Sequence, residues 1–201
     1  MINTVHKKLS DIAQIFSGYS FREGIVPDIN GKTFILSGKH IRKWDISFES
    51  LVTINIDPQG HTYLRKNDIV FKSKGPEHIG VLVEKDYNNI LAAAPLMIIR
   101  LNPAIEDIQP HFLSWFINSQ KAQRYFNQFS SSTTIRSITK SDLSELLIPC
   151  PPLIIQKRIV AFNQLRNREE QLINILSDKR SIFNEVVITQ QLEGVPKRRD
   201  S

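Results

Sequence analysis

The stretch Ile148-Pro149-Cys150-Pro151-Pro152 decides how this chain divides. Proline fixes φ, lacks a backbone N–H and disfavours helix in the residue before it, so no helix continues through these positions. Short runs typical of a compact domain precede the stretch, and a long helical pattern follows it. We therefore predict one domain over residues 1–152 and a separate element after it.

The segment 153–193 is predicted to be a long helix, regular from about Ile155 to Gln191. At 1.5 Å per residue this is roughly 55 Å, too long to pack along its whole length against a small domain. Its apolar stripe is interrupted at 166–170, so we expect a coiled-coil contact with a break. The predicted dimerisation residues are Ile155, Ile159, Phe162, Leu165, Leu172, Leu176, Phe183 and Val187. Residues 194–201 are predicted to form a disordered basic tail.

Short β-branched and aromatic runs fill residues 9–100, separated by glycine, proline and asparagine turns. Such runs are too short for ordinary helices and predict strands. The clearest are Thr33–Leu36, Asp68–Phe71, Val81–Val83 and Leu96–Ile99. The fold class expected is α+β, a strand-rich domain followed by the long coiled-coil helix.

A helical period begins near Pro110 and extends through Phe126, and proline favours the first turn of a helix. We assign the aromatic residues of this pattern, Phe112, Trp115 and Phe116, to the core. A polar loop follows at 130–134. Thr139 and Asp142 then have the spacing of a helix cap and its acid.

Composition limits the possible classes of protein. With 201 residues and 41% hydrophobic content, the chain suits one core plus an extension. Its net charge of +6 and pI near 9.5 favour a polyanionic partner. Cys150 has no second cysteine to pair with, and neither a signal peptide nor a membrane span is visible. The expected location is cytoplasmic.

The sequence lacks the motifs of the enzymes that act on DNA. Pro27-Asp28 is present, but no Asp or Glu is followed two places later by Lys, as a common restriction nuclease requires. A methyltransferase's glycine-rich loop is missing, Ser73-Lys74-Gly75-Pro76 is no Walker loop, and the five histidines lack metal-ligand spacing. We predict no catalytic residues, no cofactor and no metal.

Three segments in fixed order carry a family resemblance: Lys8-Leu9-Ser10-Asp11-Ile12-Ala13-Gln14-Ile15-Phe16-Ser17-Gly18, Leu64-Arg65-Lys66-Asn67-Asp68-Ile69-Val70, and Ser137–Leu143 continuing to Leu147–Leu153. Together they resemble the specificity subunits of type I restriction-modification systems, over residues 8 to about 165. The sequence departs from that pattern at Ile155-Gln156-Lys157, where the family commonly has an acidic residue before the glutamine.

The resemblance implies a target recognition domain followed by a spacer helix. Full-length subunits of the family carry two such units, whose helices pair antiparallel and set the distance between two DNA half-sites. This chain has one unit, so it resembles a half-length subunit that dimerises, as a homodimer or with another specificity chain. The implied partners are double-stranded DNA, a DNA methyltransferase subunit and an ATP-dependent restriction subunit.

Basic and hydroxyl residues in the turns are the candidates for DNA contact, because cations bind phosphates and polar side chains read base edges. Any one of these residues fits an ordinary solvated surface equally well. The first choice is Gly38–Trp44, followed by Ser130–Lys140, with Tyr19–Arg22 third. The predicted DNA-binding residues are Tyr19, Ser20, Arg22, Lys39, His40, Arg42, Lys43, Trp44, Ser73, Lys74, Ser131, Ser132, Thr133, Arg136 and Lys140.

Sequence-specific recognition of double-stranded DNA is the leading interpretation. A coiled-coil adaptor without DNA specificity would keep the helix but would need no basic turns. RNA binding is a third option, and no aromatic-rich RNA-binding strand motif supports it.

Overall fold

The structure of the chain is a computed structural model. It describes residues 4–21, 24–42, 45–56, 63–129 and 137–193, with side chains to residue 189. The chain divides into two compact units, Met1–Arg158 and Ile159–Ser201.

The first unit is built from short strands followed by short helices. In chain order these are β1 (Val5–Lys8), α1 (Leu9–Ile12), β2 (Ala13–Ser17), β3 (Thr33–Leu36), a 3-10 turn (Gly38–His40), β4 (Ile41–Arg42), β5 (Asp45–Ile46), β6 (Val52–Ile54), β7 (Ile69–Lys72), β8 (Gly80–Leu82), β9 (Ile90–Ala92), β10 (Leu96–Leu101), α2 (Pro110–Ile117), α3 (Gln120–Gln128), α4 (Lys140–Ser144) and β11 (Leu147–Cys150). The helix α5 (Leu153–Glu193) follows. This is the α+β class expected from the sequence.

Two sheets contribute most of the core. The larger has the order β2-β10-β7-β8 and is antiparallel throughout, with Ile98 of β10 opposite Phe16 on one side and Val70 on the other. The smaller has the order β6-β3-β9, in which β3 and β9 are parallel. Because both β3 and β9 end at the same edge, the segments that follow them are brought together there.

The predicted strands are present, and their positions are accurate to within one or two residues. The Thr33–Leu36 run is β3, and the other three runs correspond to β7, β8 and β10. Strand β7 is buried at Ile69, Val70 and Phe71 in succession, because helices and a second sheet surround it.

The helical pattern from Pro110 to Phe126 is two helices, α2 and α3, where the sequence suggested one. Ser119 ends the first by capping the second, accepting a hydrogen bond from the Ala122 N–H. Asn118 is turned inward, and its Nδ2 donates to the carbonyl of Gly80 at 2.6 Å. Polar contacts to β8 therefore interrupt a helix that the apolar spacing alone would continue.

The aromatic side chains of α2 are placed as expected. Phe112 and Phe116 are buried, and Trp115 is half-buried with its ring 5.4 Å from that of Phe112. The Thr139 cap is also confirmed, since Thr139 Oγ1 accepts from the Asp142 N–H and the Asp142 carboxylate accepts from the Thr139 N–H.

The proline-rich stretch closes the first unit by pairing with its beginning. Strand β11 runs antiparallel to β1, with Ile148 opposite Lys7, a pairing that the sequence analysis did not anticipate. Cys150 lies at the end of β11, half-buried, and burial raises the pKa of its thiol.

A buried glutamine fixes the first turn of α5. Gln156 has no exposed surface, its Oε1 accepts from the Gln109 N–H at 2.9 Å, and its Nε2 donates to the carbonyls of Asp107 and Pro151 at 2.6 and 2.8 Å. All four residues belong to the first unit. The start of α5 is thus tied to the first unit by polar contacts of a fully buried side chain.

The rest of α5 exposes large apolar side chains. The helix has 41 residues, about 60 Å at 1.5 Å per residue. Exposed apolar residues include Phe162, Leu165, Leu172, Leu176 and Phe183. Within the described residues, no helix is both long and apolar enough to cross a membrane.

Candidate nucleic-acid interface

The turn after β3 is held by a buried histidine. His40 is 5% exposed, its Nδ1 accepts from the Ser37 N–H at 3.0 Å, and its backbone pairs with Ser37 and Ser47. Burial lowers the pKa of the His40 imidazole, and the charge of neighbouring Lys39 lowers it further. His40 therefore acts as a support for the turn, while Lys39 points to solvent.

A second turn, after β7, carries Ser73 and Lys74. Ser73 is buried, and its hydroxyl donates to the Pro95 carbonyl. The Ser73 carbonyl accepts from the Ile138 N–H at 2.8 Å, and Lys74 forms a β-bridge with Ser137. This bridge joins two segments that the sequence analysis treated separately, the Ser73–Lys74 turn and the start of the segment that leads to Lys140.

Lys72, which was not among the predicted DNA-binding residues, lies between the two turns. A Cβ atom built on Gly38 would be 3.9 Å from Lys72 Cε, and one built on Gly75 would be 3.5 Å from the same atom. The absence of side chains at Gly38 and Gly75 therefore leaves space around this lysine. Gly75 also has φ +129°, a conformation that favours glycine.

The third candidate segment, at Tyr19 and Ser20, lies at the edge of the smaller sheet where β3 and β9 end. The Tyr19 N–H donates to the Ala92 carbonyl, and the Ala94 N–H donates back to Tyr19, both at 2.8 Å. Gly18 permits this approach, because a Cβ there would lie 2.7 Å from the Ala93 carbonyl carbon. Ala93 in turn donates to the carbonyl of Leu36, the last residue of β3.

We call Lys39, Lys72 and Lys74 the basic surface. Among the described residues, none of these three lysines forms an ion pair with a carboxylate. Lys7 and Lys8, by contrast, pair with Asp107 and Glu145 at 2.6 and 2.7 Å. Positive charge that no described carboxylate neutralises favours binding to a polyanion.

Arg42 and Lys140 lie further along the same segments. Arg42 is exposed in β4 opposite Asp45, and Lys140 is exposed in the first turn of α4. The other predicted DNA-binding residues lie outside the described residues: Arg22, Lys43, Trp44, Ser131, Ser132, Thr133 and Arg136.

The described part of the chain has no cluster of three or more His, Cys, Asp or Glu side chains that could hold a metal ion. Its buried ion pair, Arg100 with Asp68, joins two strands of the larger sheet through two bonds of 2.7 Å. That pair has a structural explanation, because Asp68 also accepts from the Arg65 N–H in the turn before β7.

Comparison with known families matches residues 1–175 to the type I restriction modification DNA specificity domain. The chain belongs to this family. The match includes the basic surface, the Gln156 contact and the first part of α5. No curated protein sequence matches the chain.

Three solved structures share this fold and align with most of the specificity-domain chain. A chain from a type I R-M system, from work on its assembly and conformational transition, aligns with a TM-score of 0.67 at 17% identity, over 91% of this chain and 43% of its own. The S subunit of the type I restriction-modification system from M. genitalium aligns with a TM-score of 0.58 at 22% identity, over 92% of this chain and 44% of its own. The HsdS subunit from Thermoanaerobacter tengcongensis aligns with a TM-score of 0.52 at 18% identity, over 82% of this chain and 37% of its own.

These likenesses establish the fold of the specificity-domain chain. The chain spans less than half the length of each of these three structures.

Proposed function

We propose that this chain recognises a specific sequence in double-stranded DNA as the specificity subunit of a type I restriction-modification complex. In this role it has no catalytic activity of its own and directs separate methyltransferase and restriction subunits to the site. Membership of the specificity-domain family favours this proposal over a coiled-coil adaptor, which would not need a DNA-reading domain.

The observation that carries the proposal is the convergence of the turn after β3, the turn after β7 and the Ser137 segment at one edge of the first unit. Lys39 follows β3, Lys72 ends β7, and Lys74 begins the turn that pairs with Ser137. The lysines are distant in sequence from the Ser137 segment, yet backbone hydrogen bonds fix the turns beside one another. A rigid group of cations is suited to phosphates at fixed spacing.

Within this surface we assign the lysines to the DNA backbone. Lysine presents a point charge, which gives affinity for any sequence, whereas sequence is read by side chains at base edges. Arg42 is the described residue best suited to a base contact, because its planar guanidinium can donate two bonds to guanine. His40 and Ser73 are buried, so we assign them to holding the turns.

The proposal is tested by measuring DNA affinity across a series of salt concentrations. Each of the variants Lys39→Ala, Lys72→Ala and Lys74→Ala should weaken binding to all sequences alike. Each should also reduce the slope of log affinity against log salt by about one. Fluorescence anisotropy with the target and a scrambled duplex measures both effects.

The matched control is Lys66→Ala. Lys66 is exposed and precedes β7, so it lies at the other end of the strand that ends in Lys72. The Lys66→Ala variant removes the same charge and should leave the slope of log affinity against log salt unchanged. An equal loss in Lys66→Ala and Lys72→Ala would mean that net charge, and not this surface, determines binding.

We further propose that residues 1–152 form the target recognition domain and that 153–193 form a dimerisation and spacer helix. The exposure of Phe162, Leu165, Leu176 and Phe183 supports self-association, because large apolar side chains in a row are rarely left in water. Sedimentation of the wild-type chain at micromolar concentration should show a dimer. Charged substitutions at Ile159, Phe162 and Leu176 should give folded monomers.

A further inference from the structure

One face of α5 carries eight side chains at alternating steps of three and four residues: Phe162, Leu165, Glu169, Leu172, Leu176, Lys179, Phe183 and Val186. At 100° per residue all eight fall within a single stripe. The six apolar members are between 45 and 72% exposed. The other two are an acid and a base, both exposed.

The stripe is symmetric about the level of Asn174. Leu172 and Leu176 lie two residues to either side of it, Leu165 and Phe183 nine, and Phe162 and Val186 twelve. The two charged members also fall at equal distances, five residues away, but with opposite sign. A stripe of this kind is complementary to a second copy of itself that runs in the opposite direction.

The family resemblance already implies antiparallel pairing; we infer that in this chain the two-fold axis of the pair is level with Asn174, and that a charge pair sets this register. In this arrangement Glu169 lies opposite Lys179 of the partner subunit, and Lys179 lies opposite the partner's Glu169. Every other layer of the stripe is apolar on both sides. The inference rests on the proposed self-association and specifies its register.

Other arrangements place these charges badly. A parallel pair would set Glu169 against the partner's Glu169 and Lys179 against the partner's Lys179, and like charges at an interface oppose association. Moving the antiparallel register by one heptad, seven residues, would set Glu169 against either Leu172 of the partner subunit or Val186 of the partner subunit. An acid facing an apolar layer loses hydration without gaining a partner.

The length of the helix supports the same register. Asn174 lies within one residue of the midpoint of α5 (Leu153–Glu193), so two copies centred there overlap along their whole length. A register centred on residue 168, in the charged run at 166–170, would leave Val186 beyond the end of the partner helix. Full overlap covers the exposed apolar stripe from Phe162 to Val186.

Cysteine cross-linking of the full chain tests the register. In a Cys150→Ser background, which removes the native cysteine, Leu165→Cys and Phe183→Cys chains are mixed and oxidised. The inferred register brings these positions together, so a mixed disulfide dimer should form in high yield. Each variant alone should give little disulfide-linked dimer, since two copies of residue 165 would be about 27 Å apart along the helix.

Each alternative has its own product. A Leu165→Cys homodimer would indicate a parallel pair, and efficient linkage of Leu165→Cys to Leu176→Cys would indicate a register shifted by one heptad. Either result overturns the inference, as does a dimer in sedimentation that yields none of these links. A wild-type chain that is monomeric in sedimentation would instead remove the self-association on which the register rests.

Charge reversal tests the pair itself. Glu169→Lys and Lys179→Glu should each weaken the dimer by about tenfold, and the double exchange should restore it, because both pairs are then re-formed with inverted sign. The matched control is Glu170→Lys, which makes the same change about 100° around the helix, outside the stripe, and should have little effect. Equal losses in Glu169→Lys and Glu170→Lys would exclude a specific pair.

Discussion

The first unit and the long helix use apolar residues in opposite ways. In the first unit Phe71, Phe112 and Phe126 are fully buried, whereas Phe162 and Phe183 on α5 are 72 and 66% exposed. The same residue type thus stabilises a fold in one region and, on our proposal, an assembly in the other. Substitutions in the two regions should therefore be separable by what they change, folding or association.

The largest effect is expected from Phe71→Ala. Its ring is fully buried, 5.3 Å from the ring of Phe126, and truncation leaves a cavity as well as lost burial. We expect a loss of about 3–5 kcal/mol in the free energy of unfolding, measured by chemical denaturation. Phe183→Ala is the control, which should weaken the dimer but leave the unfolding of the first unit nearly unchanged. A similar loss of stability in both variants at a concentration where the chain is monomeric would refute the contrast.

Gln156→Ala should have the next largest effect. It removes three hydrogen bonds and leaves the Gln109 N–H and the Asp107 and Pro151 carbonyls without their partner in a buried site. The expected cost is about 2–4 kcal/mol in the unfolding of the first unit. Gln164→Ala, on an exposed turn of the same helix, should cost nearly nothing. If the two variants matched, the Gln156 contact would not be what anchors the helix.

Much of the fold follows from local pattern, and the differences arise where tertiary contacts override it. Spacing and capping are local properties, so the sequence predicts the β3 and β10 runs, the Thr139 cap and the long helix. The break between α2 and α3 depends on Asn118 reaching Gly80, and the β11 strand depends on β1, at the other end of the first unit. Neither contact leaves a signal in the neighbouring sequence.

The candidate site shows the same limit. Lys39 and Lys74 could be chosen from charge and turn residues, but His40 and Ser73 are buried and support the turns instead. Lys72, at the end of the buried strand β7, was not chosen as a DNA-binding residue, and the proximity of Gly38 and Gly75 places it beside the two turns. A signal did exist in the sequence, since Lys72 and Lys74 flank one serine before a glycine.

The smallest effect concerns pH. Because burial lowers the pKa of folded His40, the unfolded chain binds its proton first as the pH falls below about 6.5. The contribution of His40 to stability is therefore present at neutral pH and is lost as the pH falls from there toward the lowered folded pKa. Urea denaturation at pH 7.5 and pH 5.5 should show a smaller difference for His40→Asn than for the wild type. An identical difference would mean that His40 does not titrate as its burial requires.

The central claim is that this chain selects a DNA sequence through paired recognition domains. It is tested most directly by mapping methylated sites in cells that carry the chain with its methyltransferase as the only specificity subunit. A protein two-fold imposes the same symmetry on the DNA, so we predict an interrupted palindrome with two identical inverted half-sites and an unspecified spacer. Lys72→Ala should lower the extent of methylation without changing the motif. An asymmetric two-part motif would contradict the symmetric pair, and methylation without any sequence preference would contradict the proposed function.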